Sequence, residues 1–346
     1  MDNKQNCYTS DNKQDCYIID KIIYNDFLWI YEIIPYLDPR LFRINELRSV
    51  SQRFKKLISD CKHKSKYIKV PSDDFPTLKK AYNYINILIH NFCRQTNSRP
   101  PEIWLNEGLI NNSIGKIQTP IVIRGMGMDR TILTHGLEFD INKKGRYGFL
   151  LNLDIIIDSL SINHLIQSDN PNLYFHGIYG KNELMFINIF SCKIEKCNGS
   201  GIYGNNINVN IRNSVICNNK KTGVHIWHNS ILLANDLEIF NCESGILIGN
   251  IKSTENSLLN DINIHHNDES GISVGGWDPD PDVIVTGNKT DISYNNLIVK
   301  HKYIYGVSTG YSGKLIFKGL DKNVSHDNYN DQNINSRHSS EIIFTS

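Results

Sequence analysis

The chain has 346 residues, with 37 Lys and Arg set against 36 Asp and Glu, so its net charge of +1 gives no pull toward nucleic acid or an anionic membrane. Its apolar stretches, such as residues 85–89, are far too short to cross a bilayer, and the polar start Met1-Asp2-Asn3-Lys4-Gln5 does not read as a secretory leader. The expected setting is the cytoplasm, where the 8 cysteines, which form no Cys-x-x-Cys pair and no zinc spacing, are reduced thiols.

Only Ala81 and Ala234 represent alanine, while Asn, Ile, Lys and Tyr abound. That usage follows from an AT-rich coding genome, and it removes functional weight from the asparagine content as such.

In chain order, residues 2–8 (DNKQNCY) and 11–17 (DNKQDCY) repeat at a nine-residue spacing without apolar periodicity, so 1–20 reads as a flexible tail. From 21 to 66 the spacing turns helical. Leu28, Ile30, Ile33, Ile34 and Leu37 suit one helix that Asp38-Pro39 ends. Leu47, Val50, Phe54, Leu57 and Ile58 suit a second. Residues 68–81 (IKVPSDDFPTLKKA) then give a strand and a helical stretch that runs to about Phe92. Short strands follow at 103–108 (IWLNEG), 121–127 (IVIRGMG) and 131–133.

Beyond these the chain repeats. Ile194/Cys197, Ile216/Asn219, Ile239/Cys242, Ile264/Asn267 and Ile292/Asn295 each place Cys or Asn three residues after an isoleucine, with the isoleucines 22, 23, 25 and 28 residues apart. Four of these units continue into Gly and a second alternating stretch, at Gly201-Ile202, Gly223-Val224, Gly245-Ile246 and Gly271-Ile272. Two residues before each anchor stand Cys192, Ser214, Leu237, Ile262 and Thr290, which can point inward with it. The intervening Lys193, Glu238, Asn263 and Asp291 point outward. This is the signature of a parallel β-helix, in which each coil lacks a core of its own and stacking buries it. The expected Asn or Cys sits inside the corner against its counterpart one coil away, and Gly is expected to supply the backbone angles of the bend. A leucine-rich repeat has a similar period, and residues 259–267 fit its template, but it does not explain the second strand after Gly.

Several residues invite chemistry. Gly125-Met126-Gly127 lacks the third glycine and the following helix of a nucleotide loop and reads as a corner. Asp236 and Asp261 lie three residues before their anchors and should stack on adjacent coils about 5 Å apart, as a glycosidase acid pair would. Their column also holds Ser191, Asn213 and Lys289, which suits a solvated turn. The acid–proline run Asp278-Pro279-Asp280-Pro281-Asp282 after Trp277 lacks further oxygen ligands for calcium and reads as a loop. His225, His228, His265, His266 and His301 share no phase, so no metal and no cofactor is expected. The outward positions Tyr203, His225, Trp227, Phe240 and Leu247 form the candidate recognition surface.

Two resemblances complete the reading. Residues 33–39 (IIPYLDP) followed by 47–54 (LRSVSQRF) resemble an F-box, with Asn25-Asp26 where the motif usually opens on Leu-Pro and a spacer about two residues longer than usual. Residues 67–320 resemble the pectin-lyase-like family of right-handed parallel β-helices, opening as it does with a strand, a capping helix and an Ile-x-Ile-x-Gly strand. Together, and with the AT-rich usage, they resemble the F-box proteins of giant DNA viruses. The resemblance implies a mainly β chain: a tail at 1–20, an F-box-like helical domain at 21–66, the β-helix at 67–320 and a C-terminal tail at 321–346. It also implies a substrate-recognition adaptor without chemistry of its own. Ile33, Leu37, Asp38, Pro39, Leu47, Val50 and Phe54 would dock a Skp1-like protein and its cullin ligase, and the β-helix would hold an unidentified protein substrate. The alternatives are a carbohydrate-acting β-helix enzyme and a structural or virion protein.

Overall fold

The computed structural model describes residues 67–92, 100–111, 114–140, 154–164, 175–249, 256–276, 282–295, 306–311, 314–328, 334–336 and 340–345. The chain divides into two units, Met1–Ile68 and Lys69–Ser346. The tail at 1–20 and the F-box-like reading of 21–66, with all of its Skp1-docking residues, lie outside the described residues.

The second unit is a parallel β-helix with three faces. Its strands pair in parallel, each residue with its counterpart one coil along. The strand Ile202–Cys217 bends through all three faces: 202–205 lies on the third, 208–212 on the first and 214–217 on the second. The strands Val224–Trp227, Ile246–Gly249 and Ile272–Gly276 are the second alternating stretches after Gly, and they form the third face. A helix or packed loop would stand there in a leucine-rich array, so that alternative is excluded.

Alternation of side chains in and out of each strand makes the core a set of stacked columns. On the second face Ile110, Leu133, Ile162, Ile194, Ile216, Ile239, Ile264 and Ile292 stack in register, all buried. On the first face Ile103, Ile123, Ile157, Ile189, Ile211, Ala234, Leu259, Val285 and Phe317 do the same. Each apolar side chain thus meets one above and one below, which is why no coil is stable alone.

The corners separate two tasks. The left-handed conformation falls to non-glycine residues in register: Ser159, Ser191, Asn213, Asp236 and Asp261 at one corner, and Lys196, Asn218, Asn241, His266, Tyr294 and Asp327 at the next. At the second of these corners the following residues, Cys197, Asn219, Cys242, Asn267, Asn295 and Asn328, turn inward and are buried. The side-chain Oδ1 of Asn219 accepts from the Cys197 amide at 3.0 Å, that of Asn267 from Cys242 at 3.0 Å, and that of Asn295 from Asn267 at 3.2 Å. The expected asparagine stack is therefore present. The glycines that follow have a different reason from the expected one. A Cβ on Gly201 would stand 2.6 Å from Cγ2 of Ile216 and 2.8 Å from the Gly223 carbonyl, and the same geometry recurs at Gly223 and Gly271. None of these three has a positive φ. Close approach between coils, not backbone freedom, requires glycine there.

Helix α1, Leu78–Phe92, lies over the first coil with Leu78, Ala81, Tyr82 and Ile85 buried. The Tyr82 hydroxyl accepts from the Gln118 amide at 2.7 Å. At the other end the stack runs past residue 320. Ser325–His326, Ile334–Ser336 and Glu341–Thr345 pair with the preceding coils, so 321–346 carries further strands of the solenoid rather than only a tail. The buried thiols of Cys192, Cys197 and Cys242 are pushed up to about 12 by burial and fill the core as small protonated groups. Among the described residues no helix is long and apolar enough to cross a membrane.

Candidate functional site

The third face carries the most unusual side chains of the solenoid. Its outward column runs Lys116, Glu138, Tyr179, Tyr203, His225, Leu247, Ser273 and Ser308, one residue per coil. Alternation places these residues outward because Ile178, Ile202, Val224, Ile246 and Ile272 point in and are buried. The neighbouring outward column holds Lys181, Asn205, Trp227, Gly249, Gly275 and Gly310.

The rings are in continuous contact along the axis. Tyr179 stacks on Tyr203 with centroids 5.6 Å apart, and His176, from the corner before the strand, lies 4.9 Å from Tyr203. Tyr203 meets His225 edge-on at 4.9 Å, and His225 meets Trp227 at 5.6 Å. Upstream, His164 packs against Phe175 at 5.0 Å. Trp227 leans across to the next coil, where a Cβ on Gly249 would run into its ring. Such ring pairs are worth about 0.5–1.5 kcal/mol each beyond area burial.

The strip is uncharged at neutral pH. Burial lowers His176 and His225 to about 4, and it also lowers His135 and His164. Burial raises Tyr179. The Nδ1 of His176 accepts from the Ser200 amide at 3.0 Å, which settles that ring's neutral role. By contrast, Nε2 of His225 and Oδ1 of Asn205 are buried without a hydrogen-bond partner. An unpaired buried polar atom costs about 1–3 kcal/mol, so each of the two has room for a partner that the chain itself does not supply. Charge enters on the upstream side, where Lys181 stands exposed two residues after Tyr179 and Lys116 pairs with Glu138 at 3.4 Å and Asp140 at 3.7 Å.

Of the predicted recognition residues, Tyr203, His225, Trp227 and Leu247 come together here. Phe240 does not. It ends a second-face strand, and the Asn241–Cys242 corner turns the chain between it and Leu247, so the two look out from different sides. Phe240 instead stacks flat on His265 at 5.2 Å, and Nε2 of His265 lies 3.2 Å from Glu238. Sequence reading missed His176 and Tyr179. The signal was present: residues 176–180 (HGIYG) repeat 200–204 (SGIYG), one coil upstream of the first aligned unit.

Asp236 and Asp261 do occupy equivalent places on adjacent coils, and both have left-handed backbones. The Asp261 carboxylate is taken up locally, accepting from the Lys289 amide at 3.2 Å and from Asn260 Nδ2 at 3.0 Å. The next place in that column belongs to Gly287, not to Lys289, because the coil gains residues between Thr286 and Asp291. These acids shape a turn. Gly125 and Gly127 also serve a corner, with the Gly125 amide donating to the Asp158 carbonyl at 2.8 Å and the Gly127 amide to that of Ser159 at 2.8 Å. Of the acid–proline run, Asp282 pairs with Lys314 at 3.5 Å, and 278–281 lie outside the described residues, as does His301. Among the described residues no three His, Cys, Asp or Glu converge as metal ligands would.

No family model and no curated protein matches the chain. Among solved structures it is similar to the A-module of the mannuronan C-5 epimerase AlgE4 of Azotobacter vinelandii, at 14% identity and a TM-score of 0.33, over 80% of this chain and 91% of that one. The assignment of a parallel β-helix rests on the coil-to-coil register and not on this likeness.

Proposed function

We propose that the chain is a recognition scaffold whose β-helix holds a ligand on its third face. The observation that carries this is the ring strip from His176 to Trp227, uncharged and in contact throughout, with two buried polar atoms left unsatisfied within it. Partly exposed aromatic clusters beside a few polar groups are what binding faces have. The partner side of the proposal rests on the F-box resemblance of residues 33–54. On that reading Ile33, Leu37, Asp38, Pro39, Leu47, Val50 and Phe54 engage a Skp1-like protein and its cullin ligase, and the third face selects what is ubiquitylated in the cytoplasm. Titration of purified Skp1 against the full chain tests it. Binding should be lost in the double variant Leu37→Ala, Pro39→Ser and retained in Tyr203→Ala. Absence of binding by the wild type at micromolar concentration removes the adaptor role.

A second reading, a carbohydrate-acting β-helix enzyme, is favoured by one feature. Glu138 is the in-register neighbour of Tyr179, and Lys116 and Asp140 stand beside it, so acids and a cation adjoin the ring strip at its upstream end. General acid–base work needs such groups within reach of a bound substrate. Release of reducing ends or unsaturated products from a polysaccharide panel by the wild type, and not by Glu138→Gln, would establish it. Activity that persists in Glu138→Gln and Asp140→Asn would remove these acids from the reaction.

A further inference from the structure

Resting on the reading of the third face as a ligand site, we propose that its ligand is an uncharged glycan chain lying along the solenoid axis, with about one sugar unit to each coil.

Charge is the first reason. Downstream of Lys181, the two outward columns hold Tyr203, His225, Leu247, Ser273 and Ser308 beside Asn205, Trp227, Gly249, Gly275 and Gly310, with no formal charge in either. An acidic polymer laid downstream of Lys181 would lose water from its carboxylates and gain no cation from these two columns in return. The imidazoles do not supply one, since burial keeps His176 and His225 neutral.

Spacing is the second. Coils recur at about 4.8 Å, the separation of paired strands. An extended peptide running along the axis presents a side chain on the same side only every two residues, about 6.6–6.8 Å, and falls out of step within two coils. Nor can a peptide add as a strand here, since each third-face strand is already paired on both sides, as Val224–Trp227 is with Ile202–Cys217 and Ile246–Gly249. An extended chain of pyranose rings advances by roughly one ring per coil and keeps its register.

Chemistry is the third. A sugar offers a C–H face to an aromatic ring and hydroxyls at its edge, and Tyr179, Tyr203 and Trp227 supply the rings. Oδ1 of Asn205 can only accept, while Nε2 of His225 donates or accepts according to its tautomer. A hydroxyl does both, so a row of hydroxyls satisfies either. Trp227 is the ring that both groups have as a neighbour: it pairs with Asn205 across the coils and touches His225 edge-on. The ring rests over Gly249, and on this reading binding requires it to turn aside so that a hydroxyl can reach the two buried atoms. Farther along, Ser308 Oγ donates to Ser273 Oγ at 3.2 Å, continuing a line of hydroxyls. Among the described residues a Cβ on Gly310 would meet nothing within 4 Å, so no packing among them requires glycine there, whereas a flat floor for a ligand does.

Electrophoresis of the full chain through native gels containing soluble polysaccharides tests this. The neutral probes are glucomannan, hydroxyethyl cellulose and a soluble β-1,3-glucan, and the anionic probes are polygalacturonate and alginate. At least one neutral polymer should retard the wild type, and neither anionic polymer should. Tyr203→Ala and Trp227→Ala should each weaken retardation at least tenfold. Gly310→Tyr, which fills the floor in open space, should weaken it with an unchanged melting temperature, so loss of binding is separable from loss of fold. Leu258→Ser, on the exposed outward side of the first face, should behave as wild type. Retardation by an anionic polymer that Tyr203→Ala abolishes would overturn the uncharged assignment while leaving the third face a ligand site. No retardation by any neutral polymer, or retardation indifferent to Tyr203, Trp227 and Gly310, overturns the glycan proposal, and the Skp1 titration then judges the adaptor reading by itself.

Discussion

Two columns of polar residues run the length of this solenoid, and they are finished in opposite ways. At the corner after the second face, Cys197, Asn219, Cys242, Asn267, Asn295 and Asn328 are buried, and the asparagines take up the neighbouring coil's amides; Asn295 Nδ2 also donates to the Ile264 carbonyl at 3.2 Å. On the third face Tyr203, His225 and Trp227 are half-buried, and His225 Nε2 and Asn205 Oδ1 have no partner. The first column is a fastening, complete within the chain. The second is incomplete within the chain, and that is where a ligand has something to add. Stability should therefore be concentrated in the corner and the core columns beside it, and binding on the third face.

The largest effect should come from the core column that the corner holds. Ile239 lies between Ile216 and Ile264 and is wholly buried. Ile239→Ala should cost about 2–5 kcal/mol in chemical denaturation, and Ile239→Asp should prevent folding. Circular dichroism dominated by helix would be incompatible with the whole architecture.

Next come paired replacements that set the two columns against each other. Asn267→Leu removes the acceptor for the Cys242 amide and the donor that reaches Asn295 Oδ1 at 2.9 Å. It should destabilise by about 2–3 kcal/mol, because it strands buried groups. His225→Leu removes a polar atom that already lacks a partner and should be neutral or stabilising by up to about 1 kcal/mol, at the expense of ligand binding. If both substitutions destabilise equally, the distinction between fastening and binding face collapses.

How much of this was legible in the sequence follows the same division. The repeat of Ile and Asn or Cys is periodic because every coil faces the same packing problem, so the anchors and the inward corner could be read from spacing. Even there the glycines were given the wrong physical reason. Gly223 looks like a bend from its neighbours, and only the stacked coils place Ile239 Cγ2 at 2.5 Å from a Cβ it does not have. The recognition face was half legible. Tyr203, His225, Trp227 and Leu247 follow from alternation, but which corner separates Phe240 from them depends on the path of the chain in space. Asp236 and Asp261 were placed correctly as neighbours, while the left-handed backbone that explains them carries no signal beyond residue type. Lys289 was misplaced because extra residues between Thr286 and Asp291 shift the count.

Taken per residue, the pH dependence of stability gives a smaller effect, specific to the third face. His176 and His225 are held near 4 in the fold against about 6.5 in the unfolded chain. Above pH 6.5 both states are neutral and these groups contribute nothing. As pH falls from 6.5 toward 4 the unfolded chain takes up protons that the fold refuses, so stability declines across that window and levels off below it. The decline should be on the order of 2 kcal/mol per histidine after allowing for partial solvent access. Thermal melts between pH 7 and pH 4 should show it, and His225→Gln should remove part of it. A slope unchanged in both His225→Gln and His176→Gln would place the titrating groups elsewhere.

The smallest effect should come from the acids that most resembled an active site. Asp236 is exposed and Asp261 half-buried, each at a left-handed turn, and the coil before Asp236 has Asn213 at the same place. Asparagine tolerates that conformation as readily as aspartate, since a short polar side chain can bond to its own backbone there. Asp261→Asn keeps an Oδ1 for the Lys289 amide and loses only an acceptor for Asn260, whose Nδ2 also donates to Asn235 Oδ1 at 2.7 Å. Removing two like charges from neighbouring coils offsets that loss. Asp236→Asn with Asp261→Asn should thus change stability by no more than about 0.5 kcal/mol, while Asp236→Val, β-branched at a positive φ, should cost about 1–2 kcal/mol. Retardation by a neutral polysaccharide should be untouched in the double asparagine variant, because this corner and the third face have no residue in common. If the double variant instead lost binding or a polysaccharide-cleaving activity of the wild type, the functional site would lie on the corner between the first and second faces, and the ring strip would be packing alone.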